Sequence, residues 1–211
     1  VLEGVGEFND VGAFLDVRVN QAIYTNNYFS QSAYPSIARG SSAIGFINYR
    51  NTGNVPWYDD TSLASAPAGS KPVHLATTSP INRSSALGSA WGGDRNRPAV
   101  NFAAVYESDG TTLAANQHVV QPGQIAKFNI NFTVPSNLSP GTYRERFNMV
   151  LEGVGEFNDV GAFLDVAVRQ GYATSYAGQS VYPSLLNGQS TQSFLRYKNE
   201  GASNWYDDTS L

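Results

Sequence analysis

Few side chains in this chain of 211 residues could support chemistry. It has two histidines, His74 and His118, and no cysteine, which excludes thiolate nucleophiles and cysteine-based zinc sites. Neither histidine has a further histidine or a carboxylate at the spacing of a metal-ligand set, and no Gly-x-Ser-x-Gly elbow occurs. A Ser-His-Asp triad can assemble from distant positions, so a hydrolase stays open as an alternative. The sequence favours a protein without enzymatic activity.

The carboxylates offer ligands for one ion, calcium. Asp59 and Asp60 follow an aromatic pair, and Asp159 lies in an Asn-Asp-x-Gly stretch. Calcium takes about six to eight oxygen ligands, so two adjacent aspartates would need carbonyl oxygens from elsewhere. Turn capping by the aspartate side chains is the simpler interpretation. We therefore expect no cofactor, with calcium at these three aspartates as the alternative.

Aromatic side chains are the second group of candidates, because exposed rings can bind glycans by stacking. The residues from which such a platform would be drawn are Tyr24, Tyr28, Phe29, Trp57, Tyr58 and Trp91. Core packing is the competing interpretation, above all for Trp57, whose Asn-x-Gly-x-x-x-Trp setting predicts a place between two sheets.

The composition argues against two classes of function, nucleic-acid binding and membrane insertion. Charged residues make up 14% of the chain, against about 25% in a typical globular domain. The net charge of −4 provides no basic patch for nucleic acid. No apolar run approaches about 18 residues, so this segment has no stretch for membrane insertion.

The elements that must position these residues belong to a long repeat. The stretch Val1–Val17 returns letter for letter at Val150–Val166. Two shorter matches follow in the same order: Ser32–Ser36 with Ser180–Ser184, and Trp57–Leu63 with Trp205–Leu211. A fixed period indicates tandem modules, and this one has the length of an independently folding domain.

The offset of the repeat predicts the domain boundaries. It is 149 residues at the first match and 148 at the later ones. We therefore expect residues 20–168 to form one complete module. Residues 1–19 are then the C-terminal piece of a preceding module, and 169–211 the N-terminal piece of the following one, within a longer parent chain.

Strand signals recur along the module at short spacing, with turn residues between them. The segment Lys127–Val134 alternates cleanly between apolar and polar residues, as expected for a strand with one buried face. The predicted strands are Ser42–Arg50, Val73–Thr77, Ala99–Tyr106, Thr112–Val120, Gln124–Val134, Tyr143–Leu151 and Ala162–Val168. Seven or eight strands without cysteine predict an all-β fold, an antiparallel β-sandwich.

A Pro-Gly turn precedes Tyr143 at the start of one predicted strand, with Gly141 in the turn. In immunoglobulin-like (Ig-like) sandwiches a tyrosine at this place forms a tyrosine corner, in which its hydroxyl bonds to nearby main chain. An ordinary strand-opening tyrosine is the alternative.

These motifs occur in a recognisable order: Asn51-x-Gly-x-x-x-Trp57, then Gln121-Pro-Gly123, then Pro135-x-x-x-x-Pro-Gly-x-Tyr143. The order resembles the Ig-like module related to the four-tryptophan domain of selective-autophagy receptors. More closely, it resembles bacterial versions in secreted cell-surface and cell-wall proteins, over essentially all of 32–168. The chain departs from the pattern at Phe147 and Phe157, where relatives often carry an aromatic that can be Trp. The resemblance implies an extracellular β-sandwich that serves as a spacer or binding module, and it brings no catalytic residues.

The sequence thus predicts a non-enzymatic structural or adhesive segment of a tandem-repeat surface protein or extracellular filament. Its partners would be neighbouring modules of the same chain or identical chains, with cell-wall or surface glycans as a further possibility. A carbohydrate or cell-wall binding module attached to an enzyme elsewhere in the parent chain is the alternative. A line of exposed Tyr and Trp on one sheet face would favour that alternative.

Overall fold

The computed structural model describes residues 21–207, and this part of the chain is almost entirely β-structure. Its helical segments are a 3₁₀ turn at Leu63–Ser65 and a single distorted turn, α1, at Gly92–Arg95. The strands, in chain order, are β1 (Asn26–Gln31), β2 (Ser36–Ala38), β3 (Ser42–Asn51), β4 (Trp57–Tyr58), β5 (Val73–Thr77), β6 (Ala104–Tyr106), β7 (Val119–Val120), β8 (Ile125–Thr133), β9 (Gly141–Leu151), β10 (Gly155–Glu156), β11 (Phe163–Arg169), β12 (Thr174–Gln179) and β13 (Leu195–Asn199). No helix in this range is long and apolar enough to cross a membrane.

Two sheets form the sandwich that the sequence predicts. One sheet has the order β1-β3-β8-β6, and every pair in it is antiparallel. The other has the order β10-β9-β11-β2, with β5 pairing with β9 as well. In this second sheet β11 runs antiparallel to β9 and parallel to β2. Separate short ladders join β4 to β7 and β12 to β13.

The core lies between the sheets and follows from the alternation along β8. Phe128, Ile130 and Phe132 are fully buried, whereas Asn129 and Asn131 are exposed, which confirms the predicted two-faced strand. Burying one such apolar side chain stabilises the fold by about 1.5–3 kcal/mol.

A polar contact links the sheets inside this core. The Tyr49 hydroxyl on β3 donates to the carbonyl oxygen of Phe147 on β9 at 3.1 Å. Burial raises the pKa of Tyr49, so the hydroxyl keeps its proton and remains a donor.

The long connection between β5 and β6 closes one side of the sandwich. Its Trp91 donates from Nε1 to the carbonyl oxygen of Asn131 at 2.7 Å. Gly88 makes this possible, since a Cβ at that position would lie 2.3 Å from the indole ring. In the same connection Arg83 and Ser85 bond the carboxylate of the buried Glu145 on β9.

The turn before β9 has the contact that defines a tyrosine corner. The Tyr143 hydroxyl donates to the carbonyl oxygen of Ser139 at 2.8 Å. Gly141 begins the strand with φ near +155°, a conformation that other residues rarely adopt.

Candidate functional site

Asp59 is completely buried and binds main chain from a neighbouring loop. Its Oδ1 accepts a hydrogen bond from the Ser62 N–H at 2.9 Å, and its Oδ2 accepts one from the Phe102 N–H at 3.3 Å. The same Oδ2 lies 2.8 Å from Nδ1 of His118. Asp59 therefore acts as a buried loop cap, the simpler of the two roles that the sequence predicts for it.

Serine, histidine and aspartate do come together at this loop. The Ser62 hydroxyl donates to the carbonyl oxygen of His118 at 2.6 Å. A nucleophilic serine instead needs its hydroxyl hydrogen-bonded to a base such as an imidazole nitrogen. The Asp59–Ser62–His118 contacts thus close a loop and do not have the geometry of a catalytic triad.

Asp60 has a different environment from its neighbour Asp59. Its Oδ1 lies 2.8 Å from Nε2 of His74, and the other ring nitrogen lies 3.0 Å from Oε1 of Glu152. A neutral imidazole has only one N–H, so both carboxylates receive a hydrogen bond only when the ring is doubly protonated. His74 is buried, whereas the Asp60 side chain is 46% exposed and that of Glu152 31%, so the imidazole lies beneath two carboxylates that reach the surface.

Arg97 completes the cluster around His74. Its Nε lies 2.5 Å from Oε1 of Glu152. Two opposing effects act on the pKa of Glu152. Partial burial raises the pKa, whereas the hydrogen bonds and positive charges of Arg97 and His74 lower it. The second effect is larger, so the pKa of Glu152 lies below its usual value. The carboxylate is therefore held ionised.

The three aspartates proposed as calcium ligands have separate protein partners. Asp159 caps a turn of its own: its Oδ1 accepts a hydrogen bond from the Gly161 N–H at 2.8 Å. Within residues 21–207, no group of three or more histidine, aspartate or glutamate side chains is arranged to hold a metal ion.

Two shallow cavities flank the His74 cluster and share Arg97 and Glu152 as walls. Their volumes are about 350 and 510 Å³. The larger one also includes Asp94 and Asn96 from the α1 turn. Their walls offer hydrogen-bond donors and acceptors to a polar ligand. No spacing in the sequence indicates that His74, Arg97 and Glu152 lie together.

The two tryptophans proposed for glycan stacking lie in the core. Trp57 is fully buried, with its ring 5.5 Å from that of Phe157 in an edge-to-face contact. Trp91 is 6% exposed and packs edge-on against Phe132 and Phe147. Neither indole face is available on the surface, because both rings fill the sandwich. Tyr58, next to Trp57, is half-buried on β4.

A different aromatic pair is exposed at one edge of the sandwich. Tyr28 on β1 is 44% exposed, and Tyr34, in the connection to β2, is 49% exposed. The Tyr34 ring lies 5.8 Å from that of Phe163. Partial burial and the neighbouring Tyr34 raise the pKa of Tyr28, so the Tyr28 phenol keeps its proton. We call the surface formed by Tyr28, Gln31, Tyr34 and 160–163 the aromatic groove.

The aromatic groove has a volume of about 240 Å³. An ion pair between Arg144 and Asp165 lies next to it. The Arg144 guanidinium lies 4.0 Å from the centre of the Phe163 ring and makes two hydrogen bonds of 2.8 Å to Asp165. Of the groove residues, the sequence singles out only Tyr28. The available signal for Tyr34 was its place in the Ser-x-Tyr-Pro-Ser stretch that occurs in both copies of the repeat.

The structural feature that repeats is an antiparallel strand pair with a bulge. In the first copy Asn26 pairs with Asn51, and the register shifts between Tyr28 and Ser30. In the second copy every position is 148 residues further on: Thr174 pairs with Asn199, and the register shifts between Tyr176 and Gly178.

The hydrogen bonds at the end of this strand pair also repeat. Asn51 accepts from the Gly53 N–H at 3.0 Å and donates to the carbonyl oxygen of Val55 at 2.9 Å. Asn199 accepts from the Gly201 N–H at 3.0 Å and donates to the carbonyl oxygen of Ser203 at 2.8 Å. The Asn-x-Gly motif thus builds the same turn in both copies.

The two copies differ in what covers them. Ile47, Tyr49 and Trp57 are fully buried under β8, β9 and the loops of the sandwich. The corresponding side chains of the second copy are 46–62% exposed: Leu195, Tyr197 and Trp205. The second strand pair therefore presents an uncovered apolar face in the described part of the chain.

Comparison with known proteins adds little. No protein-family model matches the chain, and no curated protein matches it. One solved structure with a similar chain is a family 123 glycoside hydrolase from Clostridium perfringens, studied for glycolipid glycan hydrolysis. The likeness has a TM-score of 0.33 and 12% identity, over 64% of this chain and 22% of the hydrolase chain. A likeness this weak carries no argument about fold or activity.

Proposed function

We propose that this chain is a non-enzymatic structural or adhesive segment of a tandem-repeat protein, displayed on a cell surface or in an extracellular filament. The observation that carries the proposal is the bulged strand pair that occurs twice in one chain, at β1–β3 and at β12–β13, in the same register. An enzyme needs only one copy of its catalytic site. A long stalk, or adhesion at several points at once, needs several copies of the same structural unit.

The connection between the two copies supports the same proposal. Strand β11 ends at Arg169 and β12 begins at Thr174, which leaves four residues, 170–173, between them. This connection is hydrogen-bonded to the second copy, since the Ala202 N–H donates to the carbonyl oxygen of Gln170 at 3.0 Å. Short, bonded connections limit rotation between successive units and suit a stiff stalk better than a loose string of domains.

The test of the array is the mass of the polypeptide in its source, measured by denaturing gel or mass spectrometry. We expect a mass several times the 22.7 kDa of this chain. A source polypeptide of about that mass would contradict the covalent array. If the mass is several times larger, single-molecule stretching of the source protein should also show repeated unfolding steps. Each repeat of about 148 residues would add roughly 500 Å of extended chain.

A carbohydrate-binding module is the second candidate, and the aromatic groove is the observation that favours it. Tyr28 and Tyr34 expose ring surface next to the Arg144–Asp165 pair, a combination of apolar face and polar groups that suits a sugar. Titration with soluble cell-wall polysaccharides would test it. Binding lost in Tyr34→Ala but kept in Leu113→Ala, which also removes an exposed apolar side chain, would support this candidate. No binding by the unsubstituted chain would reject it.

A further inference from the structure

We propose that the two cavities beside the Arg97–Glu152 ion pair bind an uncharged oligosaccharide. We call these two cavities together the Arg97 cleft. Its polar walls are formed by the side chains of Asn82, Asp94, Asn96, Arg97, Glu152 and Glu156. This site goes beyond the proposed function, because a stalk needs no ligand. None of its residues belongs to the aromatic groove.

Two stretches that are identical in adjacent copies of the repeat meet next to the Arg97 cleft. The stretches 57–63 and 150–166 each have a letter-for-letter copy elsewhere in the chain. Asp60 from the first stretch and Glu152 from the second contact the two nitrogens of the His74 ring. The parts of the repeat that stay the same between copies therefore come together at one place in the fold.

The rest of the repeat that can be compared is much less alike. Residues 22–56 match residues 170–204 at 13 of 35 positions. Core packing accounts for identity at buried positions such as Trp57. It does not account for identity at Val154, which is 69% exposed, or at Glu156, which is also exposed. Both of these residues line the smaller cavity, so contact with a ligand gives their retention a physical reason.

The main chain of the β5–β6 connection is strained where it borders the Arg97 cleft. Within residues 21–207, the three non-glycine residues with a positive φ all lie in this connection: Ser79, Asn82 and Arg95. Asn82 is itself a wall of the cleft, and Arg95 directly follows the wall residue Asp94. Such conformations are energetically costly and cluster at ligand-binding loops and active sites. The fold thus holds this loop in a costly conformation that puts polar side chains beside the cavities.

The ion pair in the Arg97 cleft selects against charged ligands. Arg97 directs Nε and Nη2 to the Glu152 carboxylate and Nη1 to the side-chain oxygen of Asn82. An anionic ligand would therefore have to displace a carboxylate that the guanidinium already holds. The same guanidinium neutralises Glu152, so this carboxylate attracts a cationic ligand only weakly. An uncharged ligand meets neither obstacle.

Hydrogen-bond acceptors remain available in the Arg97 cleft. Asp94 is exposed at the larger cavity, and its carboxylate has no hydrogen-bond partner within residues 21–207. Oε2 of Glu152 has only a long contact, 3.4 Å, to Nη2 of Arg97. A carboxylate has about four lone-pair positions, so both groups can accept hydrogen bonds from a ligand. The donors that an uncharged ligand offers to them are hydroxyl groups.

Each cavity also has an apolar wall. Ile81, 37% exposed, and Val154 line the smaller cavity, and Pro72 and Val100 line the larger one. A sugar ring presents C–H faces between its hydroxyl groups, so it fits a wall that combines apolar and polar side chains. The volumes of about 350 and 510 Å³ lie in the usual range of ligand sites, about 300–1,000 Å³. Because the cavities share the ion pair as a wall, an oligosaccharide that crosses it places one sugar unit on each side.

The test is calorimetric titration of the whole 211-residue chain with short sugars. The uncharged probes are cellotetraose, maltotetraose, mannotetraose and fully acetylated chitotetraose. The charged comparators are deacetylated chitotetraose, a cation, and tetragalacturonic acid, an anion. We expect at least one uncharged tetrasaccharide to bind, more tightly than either comparator and more tightly than its own monosaccharide.

Three single substitutions locate the bound sugar. Asp94→Ala removes an acceptor of the Arg97 cleft without removing a contact of the fold, and should weaken binding roughly tenfold. Arg95→Ala is the matched control, since it changes an exposed neighbour on the same turn that lines neither cavity. Both variants should unfold thermally at the temperature of the unsubstituted chain. Tyr34→Ala alters the aromatic groove and should leave this binding unchanged.

Three outcomes would overturn the inference: no uncharged tetrasaccharide binds, a charged comparator binds more tightly than all of them, or Asp94→Ala leaves binding intact. Binding that survives Asp94→Ala and is lost in Tyr34→Ala would assign the sugar to the aromatic groove instead. All of these results are independent of the mass of the source polypeptide. A covalent array without sugar binding at the Arg97 cleft would remove only this inference, and sugar binding by a 22.7 kDa polypeptide would remove only the array.

Discussion

Asn158 holds the main chain of Asn26 at both of its polar atoms, across 132 residues of sequence. The bond it accepts is 3.0 Å long and the bond it donates is 2.9 Å long. This contact joins the turn between β10 and β11 to the first strand of the other sheet. It thereby links the first strand of the sandwich to the turn before β11, far along the chain.

Replacing Asn158 by aspartate should destabilise the module by about 1 kcal/mol, because a carboxylate cannot donate to the Asn26 carbonyl. Urea unfolding of the chain, followed by tryptophan fluorescence, measures the loss. Asp159→Asn is the control, since an amide oxygen can still accept from the Gly161 N–H. Equal stability of Asn158→Asp and the unsubstituted chain would show that the bond donated to the Asn26 carbonyl contributes nothing.

Trp57 should behave as a core residue. Trp57→Ala should cost about 3–5 kcal/mol, as for other large aromatic side chains removed from a core. Trp57→Phe should cost less than half as much, because in the described part of the chain the indole N–H is buried without a hydrogen bond, and phenylalanine removes that group. Thermal unfolding distinguishes the two. Full stability of Trp57→Ala would contradict the buried position.

The bonds to Glu145 provide a test of a buried carboxylate. Arg83→Met should destabilise the module by about 2–3 kcal/mol, less than for a fully buried pair, since Arg83 is 30% exposed and water partly compensates. The double variant Arg83→Met, Glu145→Gln should recover part of that loss, because the amide does not leave a charge behind. Chemical unfolding of both variants measures the difference. No recovery in the double variant would mean that the Arg83 stem, and not the charge pair, supplies the stability.

Asp109 should make stability depend on pH at the acid end. Hydrogen bonds from the Thr111 and Thr112 N–H groups lower its pKa to about 2. The stabilisation is present above the ordinary aspartate pKa of about 4 and is lost as the pH falls towards 2. The difference in melting temperature between the unsubstituted chain and Asp109→Asn should therefore shrink across that window. A difference that stays constant from pH 5 to pH 2 would rule out the charge as its cause.

Much of the fold could be read from local pattern. The predicted strands Val73–Thr77, Gln124–Val134 and Tyr143–Leu151 match β5, β8 and β9 to within two residues. All three have long apolar runs or clean alternation, which one buried face imposes on a sequence. Two predictions were too long: β6 covers only the last three residues of Ala99–Tyr106, and β7 only the last two of Thr112–Val120. In the second stretch the side chain of Gln117 hydrogen-bonds the N–H and the carbonyl oxygen of Val105.

The short strands could not be predicted in the same way. Strand β2 has three residues and forms where β11 lies beside it, while the matching stretch at 184–186 has no such neighbour and forms no strand. A strand of this length has too few residues for a period to show. Its existence depends on the partner and not on its own sequence.

The all-β class, the repeat and the turn chemistry could be predicted without a structure, because alternation, identity between copies and the Pro-Gly and Asn-x-Gly motifs are local properties of the chain. Which polar and aromatic residues are accessible depends instead on tertiary contacts. Asp59 and Asp60 are adjacent in sequence, yet one is fully buried and the other faces His74 near the surface. Trp57 is hidden and its counterpart Trp205 is exposed. Identical motifs end in different environments because burial depends on what the rest of the chain packs against them.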